Sequence, residues 1–422
     1  MTAGEHPEQR GAPPAGVAPG RARAGRWLGV AIGAALAAWA LYMLALGKAF
    51  SPAVAPSSWR DLGILWDNAH QFLRQRRYLP GYYFPPPAYL LVSLYGQLGH
   101  DLAFRLYLLV QELSLGAGVW AWTRLIGLFE RPRAWPAIGA AVLAASFFIH
   151  VDMAMSNANA ETFALVSLAL LFCARPGLSA GAFALSLAIK PYSQTLLLPW
   201  MAWRGRWRWV AAVLAWLLLF YVALPSAWFG LRGAAELTGQ WLGALAGVGG
   251  GEASQHLSIG GGLSVLFGLP ENAVQVRMAA LGLQLGWLAA VGAFLAPALR
   301  RRADGVAAAY EAAALLLVAL PLGGHQQPAR FIALLPSTLL IAAAAFDARR
   351  PAPARLVLAA ILAAIGVASW TTPVTPAYFL LTLGLCALAL AGLTLARVRA
   401  PAPLEATAPP NAAPVVAPAP GV

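Results

Sequence analysis

LSAGAFALSLAIKPYSQTLLLPWMAW, residues 178–203, is apolar throughout except around Lys190-Pro191. The run is long enough to cross a bilayer once. One crossing, however, would place Arg204, Arg206 and Arg208 on the opposite side from Arg131 and Arg133, and would carry every later basic cluster with them. Proline breaks a helix and removes a backbone donor. A fold at Lys190-Pro191 therefore makes the run a hairpin of two short helices, with Lys190 at an outward tip and all basic groups returned to the cytoplasm, as the positive-inside rule requires.

The same pattern holds on both sides of this run. Spans are expected near 27–49, 104–129, 135–150, 162–174, 209–228, 277–298, 306–322, 330–346, 356–371 and 377–396, about twelve crossings with the hairpin counted as two. Arg300 to Arg302, Arg349 with Arg350, and Arg397 with Arg399 stand at inner ends. Residues 1–26, rich in Pro, Gly, Ala and Arg, are expected to form a disordered cytoplasmic tail. They do not read as a cleaved leader, because the apolar run from Trp27 is too long for one. Residues 27–398 form one polytopic all-α membrane domain, with a first outer loop at 50–103 and a glycine-rich second outer loop at 229–275. The Pro/Ala-rich stretch 399–422 is a second disordered cytoplasmic tail.

Composition agrees. Of 422 residues, 60% are hydrophobic and 11% charged, where a soluble chain carries roughly 25% charged residues. Mean hydropathy is +0.66. The net charge of +13 suggests nucleic-acid binding until its placement is considered: short arginine groups between apolar runs do not make a groove-tracking stripe. Cys173 and Cys386 lie inside apolar runs and read as small buried side chains, not as a metal or disulfide framework.

The first outer loop holds the densest polar chemistry. Ser58-Trp59-Arg60-Asp61 resembles a capping box. After it, apolar residues recur at helical spacing while Asp61, Asp67, Asn68, Gln71 and Arg74 fill much of the rest. This describes an amphipathic helix lying on the membrane surface. Tyr82-Tyr83-Phe84-Pro85-Pro86-Pro87 then feeds an apolar stretch, 88–98, too short to span and expected as a second surface or half-inserted helix.

The order of these pieces resembles glycosyltransferase family 87, membrane enzymes of the GT-C type. A single span is followed by Asp61-Leu62…Trp66-Asp67-Asn68-Ala69 and then by Tyr83-Phe84-Pro85-Pro86. Ser156-Asn157-Ala158-Asn159 starts a later helix, and Ala188-Ile189-Lys190-Pro191 ends one. Ser254-Gln255-His256-Leu257-Ser258 sits in the second outer loop, and Gly324-His325-Gln326-Gln327…Leu335-Pro336 forms a late outer turn. The resemblance covers residues 27–346. It departs from the family pattern in lacking the Gly-Gln pair before Asn159 and in its altered second-loop motif. It implies a GT-C-like bundle that moves a sugar, mannose first among candidates, from a polyprenyl-phosphate donor to a lipid or glycan acceptor. The site would open on the periplasmic side of a bacterial cytoplasmic membrane, with inversion at the anomeric carbon and neither metal nor cofactor.

Such a transfer needs a base for the acceptor proton and donors for charge growing on the leaving phosphate. The resemblance points to Asp61 as base. By its residues alone Asp61 also reads as a first-turn acid complementing the helix dipole. Asp67 is the rival base, and its spacing to Gln71 and Arg74 suits a surface ion pair. Lys190 is a phosphate contact, because a lysine in an apolar run is costly and functional; the alternative is snorkelling to the interface. His325 could bind the phosphate or shuttle a proton, or be a solvated loop histidine. Arg330 could add a second cation. Gln326 and Tyr83 join the substrate-binding candidates from their motifs. Asn157, Asn159 and Glu161 open a helix at the outer face, where capping explains one asparagine but not all three groups. Asp152, His256 and Glu252 are weaker candidates. His150 with Asp152, and His256 with Glu252, have poor spacing for a metal cage.

Two other classes fit parts of the pattern. A secondary transporter or lipid flippase also uses broken helices and intramembrane lysines, but it predicts repeat-related halves and charges at the midplane. A non-catalytic assembly partner would keep the fold without the chemistry.

Overall fold

The computed structural model describes residues 60–75, 84–191, 193–247, 259–301, 305–322, 328–371 and 376–398. The expected first span, 27–49, and both tails lie outside them. The described residues form helices and turns without a strand. In chain order the α-helices are α1 (Arg60–Gln75), α2 (Pro86–Gly96), α3 (His100–Leu125), α4 (Ala134–Ala144), α5 (Ser146–Met155), α6 (Asn159–Leu171), α7 (Pro176–Ile189), α8 (Leu197–Trp203), α9 (Trp207–Leu218), α10 (Leu224–Gly247), α11 (Ile259–Phe267), α12 (Val274–Arg301), α13 (Val306–Leu322), α14 (Leu335–Ala345), α15 (Ala352–Thr371) and α16 (Pro376–Val398).

The bundle is organised around α14. Its sequence is apolar all round, and every residue from Leu335 to Ala345 is buried, as expected of a helix with no solvent or lipid face. Its alanines let α4, α15 and α16 approach closely. The outer helices carry the lipid-facing surface: Leu214, Leu218 and Leu219 beside α9, and Val274, Met278, Leu281 and Leu285 on α12, are exposed.

The described residues do not show about twelve crossings. Five helices are long and apolar enough to cross a bilayer, or six if α4 and α5, bent by 61° at their junction, count as one. Helices α6, α7, α13 and α14 are apolar but shorter. At 1.5 Å per residue, the 13 residues of α6 reach only ~20 Å, against a ~30 Å hydrocarbon core. These helices are buried against other helices, and so need not match the lipid thickness.

The run 178–203 doubles back, though not as two arms packed on each other. Trp209 Nε1 donates to Ser179 Oγ (2.6 Å) and Tyr221 OH to the Leu187 carbonyl (3.0 Å). Early residues thus pair with early and late with late, so α7 and α9 run side by side in the same direction. Residues 190–206 must return the chain between them. The return limb, a 3₁₀ turn (Ser193–Leu196) and α8, packs chiefly on α13. Its far end is fixed where Arg204 Nη1 (2.9 Å) and Trp200 Nε1 (3.0 Å) both donate to Glu311 Oε2.

Two further expectations change. The span expected to end at 228 continues through a π-helical stretch, Leu219–Ala223, into α10. The wider turn makes room for Pro225, whose ring would otherwise crowd the carbonyl four residues back. The chain breaks at Gly230, whose φ of 75° favours glycine, and resumes as helix to Gly247, inside the expected second outer loop. In addition, the apolar face of α1 is not left for lipid. Ala69 and Phe72 are buried against Tyr89 of α2 and against Leu237 and Trp241 of α10. Phe72 stacks on Tyr89 (ring centroids 5.3 Å) and meets Phe229 edge-on (5.1 Å). Aromatic pairs of this kind add to area burial, so α1 and α2 form a lid seated on protein.

Candidate active site

The site is built at the junction of α5 and α6. Helix α5 ends at Ser156, which adopts the left-handed conformation (φ 50°, ψ 48°). This conformation strains a non-glycine residue but turns the chain sharply enough to start α6 within three residues. The sequence reading gave the helix cap to an asparagine. The structure gives it to Asp152, one helix earlier: Asn159 Nδ2 donates to Asp152 Oδ1 (2.8 Å) and the Ala160 amide to Oδ2 (3.2 Å). A carboxylate here satisfies an orphan amide and complements the helix dipole.

With Asp152 as cap, Asn157 takes another task. Lys190 Nζ donates to Asn157 Oδ1. Lys190 is 3% exposed, which excludes snorkelling. It stands at the C-terminus of α7 in extended backbone (φ −156°, ψ 92°), and its ammonium lies 5.5 Å from the centroid of the Phe84 ring, a cation–π distance. Two glutamines not anticipated from sequence complete the frame. Gln111 Nε2, in the middle of α3, donates to the Asn157 carbonyl. Gln194 Nε2 donates to the Lys190 carbonyl and to that of Ser186 (3.4 Å), near the carbonyls left over where Pro191 ends the helix. The available signal was an amide inside an otherwise apolar helix, for Gln111, and an amide just beyond a proline break, for Gln194.

Lys190 faces a partly open cleft with about 540 Å³ of empty space, its open mouth included. One stripe of α6 lines it (Asn159, Thr162, Phe163, Val166), with Gln194, Leu316 and Leu320 of α13, and Arg330, Ile332 and Ala333. Arg330 stands in a 3₁₀ turn, Pro328–Leu334, ahead of α14, where the span expected near 330–346 was to begin. Two cations therefore face one cleft whose walls are otherwise largely apolar. Such surroundings strengthen an electrostatic contact well beyond its value in water.

Of the expected site residues, the structure brings Lys190, Asn157, Asn159 and Arg330 together. Glu161 is close, but it points from a different face of α6 and does not line the cleft. Tyr83, His325, Gln326, Glu252 and His256 lie outside the described residues, as do the side chains of Asp61 and Asp67. The backbone places Asp61 in the first turn of α1, which packs on α2 and touches α5. No group of three or more His, Cys, Asp or Glu residues suited to a metal ion occurs among the described residues.

An all-helical membrane protein with a buried, cationic, apolar-walled cleft is the class that this fold and site define. The family model of glycosyltransferase family 87 matches residues 82–322, more than half of the chain, and the protein belongs to that family of glycosyltransferases. The match includes Asn157, Asn159, Glu161 and Lys190, but not Asp61, His325 or Arg330. Neither a curated protein nor a solved structure matches the chain.

Proposed function

We propose that the enzyme transfers a hexose, mannose first among candidates, from a polyprenyl-phosphate sugar to a lipid or glycan acceptor. Its site would open on the periplasmic side of a bacterial cytoplasmic membrane, in a GT-C-like bundle. The observation that carries this reading is the convergence of Lys190 and Arg330 on one cleft lined otherwise mostly by apolar side chains. A phosphodiester joining an alkenol to a sugar presents the matching chemistry, as does the alkenyl phosphate it leaves behind: anionic oxygens for the two cations, and a hydrocarbon tail for Phe163, Val166, Leu316, Leu320 and Ile332.

In this mechanism the phosphate leaves from the anomeric carbon while an acceptor hydroxyl attacks from the opposite face, inverting the centre. Lys190 and Arg330 stabilise the negative charge that grows on the leaving oxygen. His325 and Gln326 stand on the five residues joining α13 to the turn that holds Arg330, and would complete the phosphate contacts. Asp61 takes the acceptor proton as the new bond forms. Its place in α1 is compatible with this role, because α1 seats on α2 and the residue preceding Pro85 and α2, Phe84, touches Lys190. Tyr83 and Asn159 would line the substrate path, and Asp67 is the rival base.

The test is sugar transfer by membranes containing wild type, Asp61→Asn or Lys190→Met at equal protein level, supplied with labelled polyprenyl-phosphate sugars. Wild type is expected to transfer one of them, and Asp61→Asn to lose at least about a hundredfold, the lower end for a general base. Unchanged transfer by Asp61→Asn would move the base elsewhere. Unchanged transfer by Lys190→Met would sink the phosphate assignment.

A further inference from the structure

The polar side chains of the cleft are of two kinds. Lys190 and Arg330 bring positive charge, while Asn159, Thr162 and Gln194 bring oxygen. What the two amides already hold fixes which way they point. Asn159 meets the Asp152 carboxylate (2.8 Å), which only accepts, so Nδ2 faces it. Gln194 meets the backbone carbonyls of Lys190 and Ser186, which also only accept, so Nε2 faces them. Neither amide can flip without losing these bonds. The Thr162 hydroxyl likewise gives its proton to the Ala158 carbonyl (2.9 Å). What remains on each of the three side chains is an acceptor.

Asn159 is 6% and Gln194 2% exposed, and among the described residues no donor reaches Asn159 Oδ1 or Gln194 Oε1. Buried acceptors are costly to leave unpaired, so a ligand that displaces water from them must bring donors of its own. A sugar joined to an alkenol through a phosphodiester has three parts. The hydrocarbon tail has no donor. The phosphodiester has no O–H and offers only acceptors. The sugar carries several hydroxyls, each a donor, and it alone can answer these oxygens. The cleft is of suitable size: its empty space of about 540 Å³, open mouth included, compares with roughly 300–1,000 Å³ for small-molecule sites. The arrangement also ties acceptors to cation. Gln194 holds the carbonyl of the very residue that carries the ammonium, and Asn159 and Thr162 stand one turn apart on the stripe of α6 that shares the cleft with it.

We propose that Gln194, together with Asn159 and Thr162, reads the donor sugar: their oxygens accept hydrogen bonds from its hydroxyls while its phosphate lies on Lys190 and Arg330. Gln194 is then a specificity residue, distinct from the base and from the phosphate contacts. This inference rests on the phosphate reading of the cleft, because the phosphate is what brings the sugar to these oxygens.

The test uses the full chain in detergent micelles and matched phosphodiesters: farnesyl phosphate joined to mannose, glucose or galactose, and farnesyl cyclohexyl phosphate, which keeps the charge and the six-membered ring but has no hydroxyl. The affinity ratio of the best sugar probe to the cyclohexyl probe isolates the hydroxyls. Wild type is expected to show a ratio of at least about tenfold. Thr162→Val removes an acceptor and orphans no backbone group, because the Ala158 carbonyl keeps the Thr162 amide (3.2 Å). It is expected to lower the ratio about fivefold, the scale of one neutral hydrogen bond, with melting temperature and cyclohexyl affinity as in wild type. Gln194→Met is expected to lower the ratio at least as far. It also releases the Lys190 carbonyl, so a loss shared equally by all probes would mark a purely structural role. Lys190→Met is expected to weaken every probe and leave the ratio in place. A wild-type ratio near one, or a ratio unchanged in both Thr162→Val and Gln194→Met, overturns the proposal, while Lys190-dependent binding of the cyclohexyl probe would leave the phosphate reading standing. An unchanged ratio with a raised KM for a glycosylated acceptor would give the oxygens to the acceptor and overturn it equally. A wild type that binds no probe overturns the phosphate reading, and this one with it.

Discussion

Asp152 decides how the site is wired. Its carboxylate caps α6, and that frees Asn157 to hold Lys190. Asp152→Ala is therefore expected to do two things. Loss of a cap of this kind costs about 1–2 kcal/mol, to be read as a lower melting temperature in detergent. Asn159 and the Ala160 amide then lose their acceptor, so the first turn of α6 shifts and KM for the donor rises. A melting temperature and KM both equal to wild type would show that Asp152 does not set the turn. Much of this was legible in the sequence at the level of identity, and little at the level of role. Lys190 stood out because a charge in an apolar run is expensive, and Asn157 and Asn159 because a helix start needs only one capping asparagine. The sequence reading assigned a cap to an asparagine because capping is treated as a local matter. Here the acceptor comes from seven residues upstream, across a left-handed Ser156 that no periodicity announces.

Among the elements, α3 and α6 form the closest seam. Gly118 lets Phe163 lie against the backbone of α3: a Cβ at Gly118 would stand 2.4 Å from the Phe163 ring. That ring is buried and cannot swing away cheaply. Gly118→Val is expected to separate the helices at a cost of roughly 1–3 kcal/mol and to lower transfer, because the same helix carries Asn159. Thermal unfolding and single-turnover transfer check the two effects separately, and a variant as stable as wild type would refute the seam. The positions of most helices followed from hydropathy, and 306–322 appears where expected. Partners did not follow. The amphipathic pattern of 60–75 is the same whether its apolar side meets lipid or protein, and only Tyr89, Phe229 and Trp241, from other segments, decide for protein. The helix to Gly247 was hidden because glycines in an outer segment read as loop, although between Gly230 and Gly247 only Gly230 takes a positive φ.

At the scale of the whole molecule, the prediction concerns sidedness. Arg232 and Glu236 are exposed on α10 beyond the break, on the segment that seats α1 and α2. Asp347 and Arg349 are paired at the opposite end of α14 from the cleft. With Cys173 and Cys386 replaced by alanine, Glu236→Cys is expected to react with an impermeant thiol reagent in intact cells, and Arg349→Cys only after the membrane is opened. The reverse pattern would invert the orientation and put the cleft on the cytoplasmic side. Asp347 also carries a pH dependence: the Arg349 guanidinium holds its carboxyl below the usual carboxylate range. Its small stabilising contribution is therefore in place above the unfolded pKa and disappears as pH falls through the lower folded value.

The contacts around Lys190 also carry a direction in time. Its acceptor, Asn157, lies 33 residues earlier in the chain, and the glutamine that steadies Asn157 lies 46 residues earlier still. During synthesis, the receptacle for the ammonium is already in the membrane when α7 arrives, so the lysine need not wait unpaired in lipid. Arg330 and the partner of Arg204, Glu311, emerge much later. A nascent chain thus gains its lysine early and its second cation last, and the two do not share a cleft until most of the bundle has been made.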